Sequence, residues 1–408
     1  MKRQFQELRE VLAGRRARLL LAGLALSVVG DGAAKIALLL RVHDAGAGSA
    51  GLAVMLALFV LPVVLLVGVA GALADRPDPR PVVVTAGIVQ FGAAVALACR
   101  TDFVSTGLSV IVLQTGFALG NSAWVVALPR AVGEEHVGAL VSLHHALLAL
   151  AAPLGAGFGG LLVQHVGDPA PFVLNALTFV PLVLAASLLP VRGDGAVVAA
   201  PRGLLRTLVP VEGVRALGEQ PLLATIVWAV LPFIVALESV NAIEVFLVRG
   251  VLGGSSSQFG ASEAAAGVAA VVGALAAALA RTTRTRAAAV LALLGVISLC
   301  QVGQGLAPNI IVYVPLAASV GLLLGAVNAL TLTLMVTATD VRSRGSIVAF
   351  VGGASRSCGI VALGVGGLLG SVLEPRTAYV VVGLVGLAIA GSAVLTVRGR
   401  LSVPAGSL

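Results

Sequence analysis

Charge is scarce in this 408-residue chain. Asp, Glu, Lys and Arg together make up 11% of it, against about 25% in soluble domains. Lysine is nearly absent: of 26 basic residues, only Lys2 and Lys35 are lysines. Aromatic residues reach 4%, too few for an aromatic-lined sugar site or for aromatics interleaved with a basic nucleic-acid surface. The three cysteines, Cys99, Cys300 and Cys358, lie far apart in apolar runs, which argues against a disulfide framework. No His/Asp/Glu cluster sits at one edge of an apolar run, as a membrane enzyme would require, and no metal or cofactor is expected. No Walker sequence is present and no glycine cluster follows a strand, so ATP does not drive the protein directly.

What the chain has instead is apolar length. Hydrophobic residues make up 59%, in runs of about 20 residues that recur from end to end, each long enough to cross a bilayer. Breaks at charged, Gly-rich or Pro-rich stretches predict twelve spans: 19–41, 50–72, 82–99, 103–128, 140–165, 171–190, 221–248, 260–280, 287–306, 310–338, 346–371 and 377–397. The runs do not alternate as barrel strands do, so the expected class is an all-α membrane protein. The first run is too long for the apolar core of a signal peptide and is expected to be retained as a span.

Placing the N-terminus inside puts twenty Lys and Arg residues in cytoplasmic segments and four, Arg41, Arg100, Arg249 and Arg376, outside. That is a strong positive-inside asymmetry with both termini cytoplasmic. The same spread over seven cytoplasmic segments excludes a nucleic-acid surface. The near-exclusive use of arginine is a mark of a GC-rich bacterial genome and carries nothing more; a bacterial inner membrane is the expected location. A polar break at 191–220 separates residues 1–190 from 221–408. Leu204, Leu205 and Leu208 there oppose Arg202 and Arg206, predicting a short interfacial helix in a cytoplasmic linker.

The two halves repeat. Gly157 and Gly364, Asn121 and Asn328, and Asp31 and Glu238 are each 207 residues apart, in matching spans. Two parallel six-helix halves are one of the known ways to build a transporter.

The loop after span two, "GALADRPDPRP", resembles the signature of the major facilitator superfamily, Gly-x-x-x-Asp-Arg-x-x-x-Arg, at Gly71, Asp75, Arg76 and Arg80. The second-half copy, "ALARTTRTR", keeps the basic residues and lacks the aspartate. Over its length the chain is similar to the drug:proton antiporter branch that includes macrolide and siderophore exporters. The segments that carry this are "LSVVGDGAAKIALLL", "ALPRAVGEE", "FGGLLVQHVGDPAPFVLNALTFVPLVL" and "VRSRGSIVAFVGG". The exporters' Gly-Pro pair in span five is replaced here by Pro153 ahead of Gly155 and Gly157.

The resemblance implies two pseudo-symmetric six-helix bundles working by alternating access, with spans one, four, seven and ten lining a cavity and three, six, nine and twelve facing lipid. It implies a gate latch at Gly71, Asp75, Arg76 and Arg80, where Gly71 lets two helices approach. It also implies proton-coupled efflux of an amphiphilic small molecule by a monomer. An uptake symporter or facilitator for a polar small molecule is the alternative, and a membrane sensor or enzyme a second.

A charge at the centre of a span costs about 2.5–3.5 kcal/mol on the insertion scale, so each such residue needs a partner or a wet cavity. Asp31 and Lys35 are spaced i, i+4 and can pair. They form either a structural brace or a cavity site where a proton or substrate competes for the pair. Glu238 has no basic residue one turn away on its own helix. Glu238 is the first candidate proton carrier and Asp31 the second. Lys35, Asn121, Asn241, Asn328 and Arg356 are the candidate cavity or substrate-binding residues, and Arg356 is a candidate partner of Glu238.

Overall fold

The computed structural model describes residues 14–74, 78–130, 137–187 and 211–402. Its helices are α1 (Arg15–Asp44), α2 (Gly48–Leu65), α3 (Val67–Ala74), α4 (Arg80–Cys99), α5 (Phe103–Arg130), α6 (Val137–His165) and α7 (Pro169–Ser187). There follow α8 (Val211–Gly218), α9 (Pro221–Ser239), α10 (Ser256–Ala276), α11 (Thr283–Leu306), α12 (Ile310–Thr337), α13 (Val341–Val372) and α14 (Pro375–Ser402). Twelve helices among the described residues are long and apolar enough to cross a membrane, and they match the twelve predicted runs.

Local chemistry sets where these helices begin. Three of them, α7, α9 and α14, open on proline, whose missing N–H is no loss in a first turn. Asn309 accepts the Val312 N–H at 3.2 Å to cap α12, and Thr282 and Thr285 form a reciprocal capping box on α11. Ser105 donates its backbone N–H to Asp102 at 2.9 Å at the start of α5. Gly46 and Gly48, at φ +68° and +66°, turn the chain sharply between α1 and α2. Many large apolar side chains point outward, among them Leu279 (82% exposed) and Ile311 (78% exposed). That surface suits hydrocarbon and would be a liability in water.

Span two is two helices: Leu66 separates α2 from α3, four residues after Pro62. Span seven is more broken. After Ser239 the chain forms a 3-10 turn (Val240–Ala242) and then a π-helical segment (Phe246–Val251), where one unbroken span was expected. The Ser239 hydroxyl donates to the Ala236 carbonyl at 2.7 Å, a local bond that competes with the helical ladder. The interfacial helix expected at Leu204, Leu205 and Leu208 lies outside the described residues. Within the same linker, α8 packs on α13, with Gly213 against Ser346 and Phe350.

Contacts divide the chain into two units. The first holds residues 1–46, 55–202 and 255–264, and the second holds 47–54, 203–254 and 265–408. In the first unit α1 packs against α6 and α7, and α4 against α5 and α7. In the second unit α9 packs against α13 and α14, and α11 against α12 and α14. The two lists are the same in terms of spans. The repeat extends to single residues: Gly159 of α6 abuts Ala33 of α1, and Gly366 of α13 abuts Ser239 and Ala242.

Candidate functional site

The stretch Gly30-Asp31-Gly32 shows how the first unit places a charge. A Cβ on Gly30 would stand 3.0 Å from the Asn175 Cα of α7, and one on Gly32 would meet the Ala152 carbonyl of α6. The two glycines thus let α6 and α7 close on α1 from two sides. Asp31 is left on the remaining side, partly exposed, at the wall of a cavity of about 350 Å³.

That cavity lies wholly within the first unit. Its lining includes Ser27, Asp31 and Lys35 of α1, Phe59 of α2, Gln90 of α4, Gln114, Phe117, Asn121 and Trp124 of α5, and Leu148, Ala152 and Leu182 of α6 and α7. The size and the apolar wall with a few converging polar groups are those of a small-molecule site. Asp31, Lys35 and Asn121 are therefore brought together.

The expected pairing is not. No ion pair or hydrogen bond joins Asp31 to Lys35 among the described residues. Lys35 is exposed and Asp31 half-buried, and both line the cavity. Asn175 of α7 is fully buried, and its Nδ2 closes no hydrogen bond among the described residues.

Spans three and six, expected to face lipid, expose Ile88 and Leu177 at 58% each and also carry an inward side. Val83 and Gln90 of α4 and Leu182 of α7 line the cavity. Gln90 is 5% exposed and Asn175 fully buried. Amides in an apolar helix turn inward because hydrocarbon cannot satisfy them.

The remaining candidates belong to the second unit. Glu238, Asn241, Asn328 and Arg356 are all exposed. Asn241 donates its amide to Glu238 Oε2 at 3.5 Å across the break after α9. A Cβ on Gly359 of α13 would lie 3.9 Å from the same oxygen. Arg356, one turn earlier on α13, forms no ion pair with Glu238 among the described residues.

Of the latch residues, Asp75 and Arg76 lie outside the described residues. Arg80 donates to Asp78, with Nη2–Oδ2 at 2.9 Å. Among the described residues nothing lies within 4 Å of the place a Cβ on Gly71 would take. α3, which carries Gly71, packs against α5.

Two polar clusters escaped the sequence reading. Buried Arg41 donates Nε to Asp168 at 2.7 Å and Nη1 to the carbonyls of Leu97 and Arg100 at 2.8 and 3.0 Å, and stacks 4.3 Å from the Phe172 ring. It ties the ends of α1 and α4 to the α6–α7 turn. In the second unit Tyr313 donates to Glu244 at 2.8 Å and lies 3.3 Å from the Tyr379 hydroxyl. These are the chain's only two tyrosines, and that scarcity was the one available signal. Arg41 was legible only as a topogenic charge, because its partner is 127 residues away.

Residues 20–363 match the profile described as Major Facilitator Superfamily. The chain belongs to that superfamily. It is a multi-pass membrane transporter of the major facilitator type, with the twelve-helix fold expected of it. No curated relative matches it at the level of sequence. Among solved structures it is similar to a bacterial homologue of the iron transporter ferroportin in an inward-facing state. That match has TM-score 0.72 and 14% identity over 95% of this chain and 99% of that one. It is also similar to the nucleoside transporter NupG, with TM-score 0.71 and 12% identity over 94% and 99% of the two chains. A third is a bacterial homolog of the human lysosomal transporter Spinster, with TM-score 0.67 and 14% identity over 98% and 99%. At these identities the likeness is one of fold.

Proposed function

We propose that this major facilitator is a proton-coupled exporter of amphiphilic small molecules. It would work by alternating access as a monomer in a bacterial inner membrane, with both termini cytoplasmic. The observation that carries the reading is the cavity of the first unit, about 350 Å³ and apolar over most of its wall. An amphiphile gains from burying its body against Phe59, Phe117 and Trp124, which line it. A polar nutrient would need more hydrogen-bonding groups than this wall offers.

Asp31 and Glu238 are the proton-carrier candidates, at equivalent positions of the two repeats. Glu238 is favoured and Asp31 second, because no basic residue lies one turn from Glu238 on its own helix. Lys35 and Asn121 are proposed substrate contacts from the first half, and Asn241, Asn328 and Arg356 from the second. Residues 1–190 and 221–408 would act as the two halves, linked by 191–220, with Gly71, Asp75, Arg76 and Arg80 as the latch loop.

The test is flux in proteoliposomes against a panel of amphiphiles, with and without an imposed pH gradient. Uphill movement of an amphiphile against an opposite proton flux supports the reading. Flux that ignores the gradient, or that runs with the protons, would replace it with facilitation or uptake.

A further inference from the structure

Among the described residues one cation, Lys35, lines the cavity, and it is an unusual one for this chain. Lys35 is the sole lysine outside the extreme N-terminus. It lies nine residues from the end of α1 at Asp44, about 13 Å along the axis, too far for its stem to reach the membrane interface. It is exposed to the cavity, and among the described residues it has no hydrogen bond or ion pair. Asp31, one turn away, lines the same cavity and forms no ion pair with the lysine.

An ammonium ion held inside a membrane without a counter-charge is unfavourable. A residue kept there is offset by something that enters. We propose that the substrate of this cavity carries an anionic head group of carboxylate type, and that Lys35 is its ligand. The inference rests on the cavity being the substrate site, as proposed above.

The rest of the wall agrees. Besides Asp31 and Lys35, its polar side chains include the amides of Gln90, Gln114 and Asn121. Gln114 and Asn121 are seven residues apart on α5 and so share a helical face. Their N–H donors can support a second head-group oxygen. The apolar remainder, including Phe117 and Trp124, covers the body of the molecule. The anion displaces no salt bridge, because none is formed.

The experiment uses the full chain in lipid nanodiscs with Trp228→Phe. Trp228 is 56% exposed, whereas Trp124 is 3% exposed and lines the cavity. The chain has only two tryptophans, so Trp124 fluorescence alone reports binding. Three matched probes are titrated: biphenyl-4-acetate, biphenyl-4-acetamide and biphenyl-4-methylamine, with calorimetry as the second readout.

The carboxylate is expected to bind at least about tenfold more tightly than the amide and the amine, a difference of about 1.4 kcal/mol. Lys35→Gln should erase that preference. Lys35→Arg should retain it. The proposal is overturned if the amine binds as tightly as the carboxylate, if the preference survives Lys35→Gln, or if none of the three binds. The same probes in the flux assay separate the two readings. A carboxylate preference without pH-driven export sinks the export reading alone. PH-driven export of the amine sinks the anionic head group alone.

Discussion

Asp31 owes its setting to the glycines beside it. A Cβ on Gly30 would stand 2.5 Å from Thr178 Oγ1 and 2.7 Å from Asn175 Oδ1. Gly30→Ala should therefore overpack the α1–α7 contact and destabilise the protein by about 1–3 kcal/mol, read as a lower melting temperature in detergent. Gly71→Ala is the control. It meets no described atom within 4 Å, and alanine favours a helix, so stability should hold or rise by about 0.5–1 kcal/mol. Two acidic residues can be compared in the same way. Glu238→Gln should abolish uphill, pH-driven efflux while substrate still binds. Had Asp31 and Lys35 been paired, Asp31→Asn would strand a buried lysine. Because they are not, Asp31→Asn should keep near-native stability. If it alone abolishes coupling while Glu238→Gln preserves it, the proton is carried in span one.

The elements most worth disturbing are the broken span seven and the polar posts that hold helix ends. Tyr313 of α12 donates to Glu244, which lies between the 3-10 and π-helical segments. Tyr313→Phe should destabilise by about 1.5–3 kcal/mol, the range for hydrogen bonds to charged groups. A Tyr313→Phe variant that melts with the parent would contradict this. Outside the membrane, Ser105 donates its backbone N–H and hydroxyl to the Asp102 carboxyl and holds it below the ordinary aspartate range. A lowered carboxyl pKa adds stability in full above about pH 3.9, and that stability is lost as pH falls through the lowered value. Asp102→Ala should thus melt earlier than the parent at neutral pH, and the gap should close at the acid end of a pH series.

For the whole molecule, orientation is the property that every proposed role assumes. The proposed orientation, with the α1–α2 turn outside and the α10–α11 turn inside, rests on twenty basic residues against four. With the three native cysteines replaced by alanine, a cysteine at exposed Ala45 should react with a membrane-impermeant maleimide in intact cells. One at exposed Thr283 should react only after lysis. The reverse result would invert the topology and, with it, the side from which the cavity is loaded.

Span number, helical class and the internal repeat were set by the sequence alone, because a bilayer demands about 20 apolar residues per crossing and leaves no other way to satisfy the backbone. The cavity charges were legible for the same reason: in a greasy helix Asp31 and Lys35 stand out against everything around them. Side-chain pairing was not legible. Asp31 and Lys35 share a helical face and line one cavity, yet no ion pair joins them. Arg41 finds Asp168 across 127 residues, and Gln90 and Asn175 point inward from helices expected to face lipid. Each of these is decided by how closely neighbouring helices approach, which depends on small residues in both partners at once. One strand of sequence, read along its length, carries no record of which face meets which.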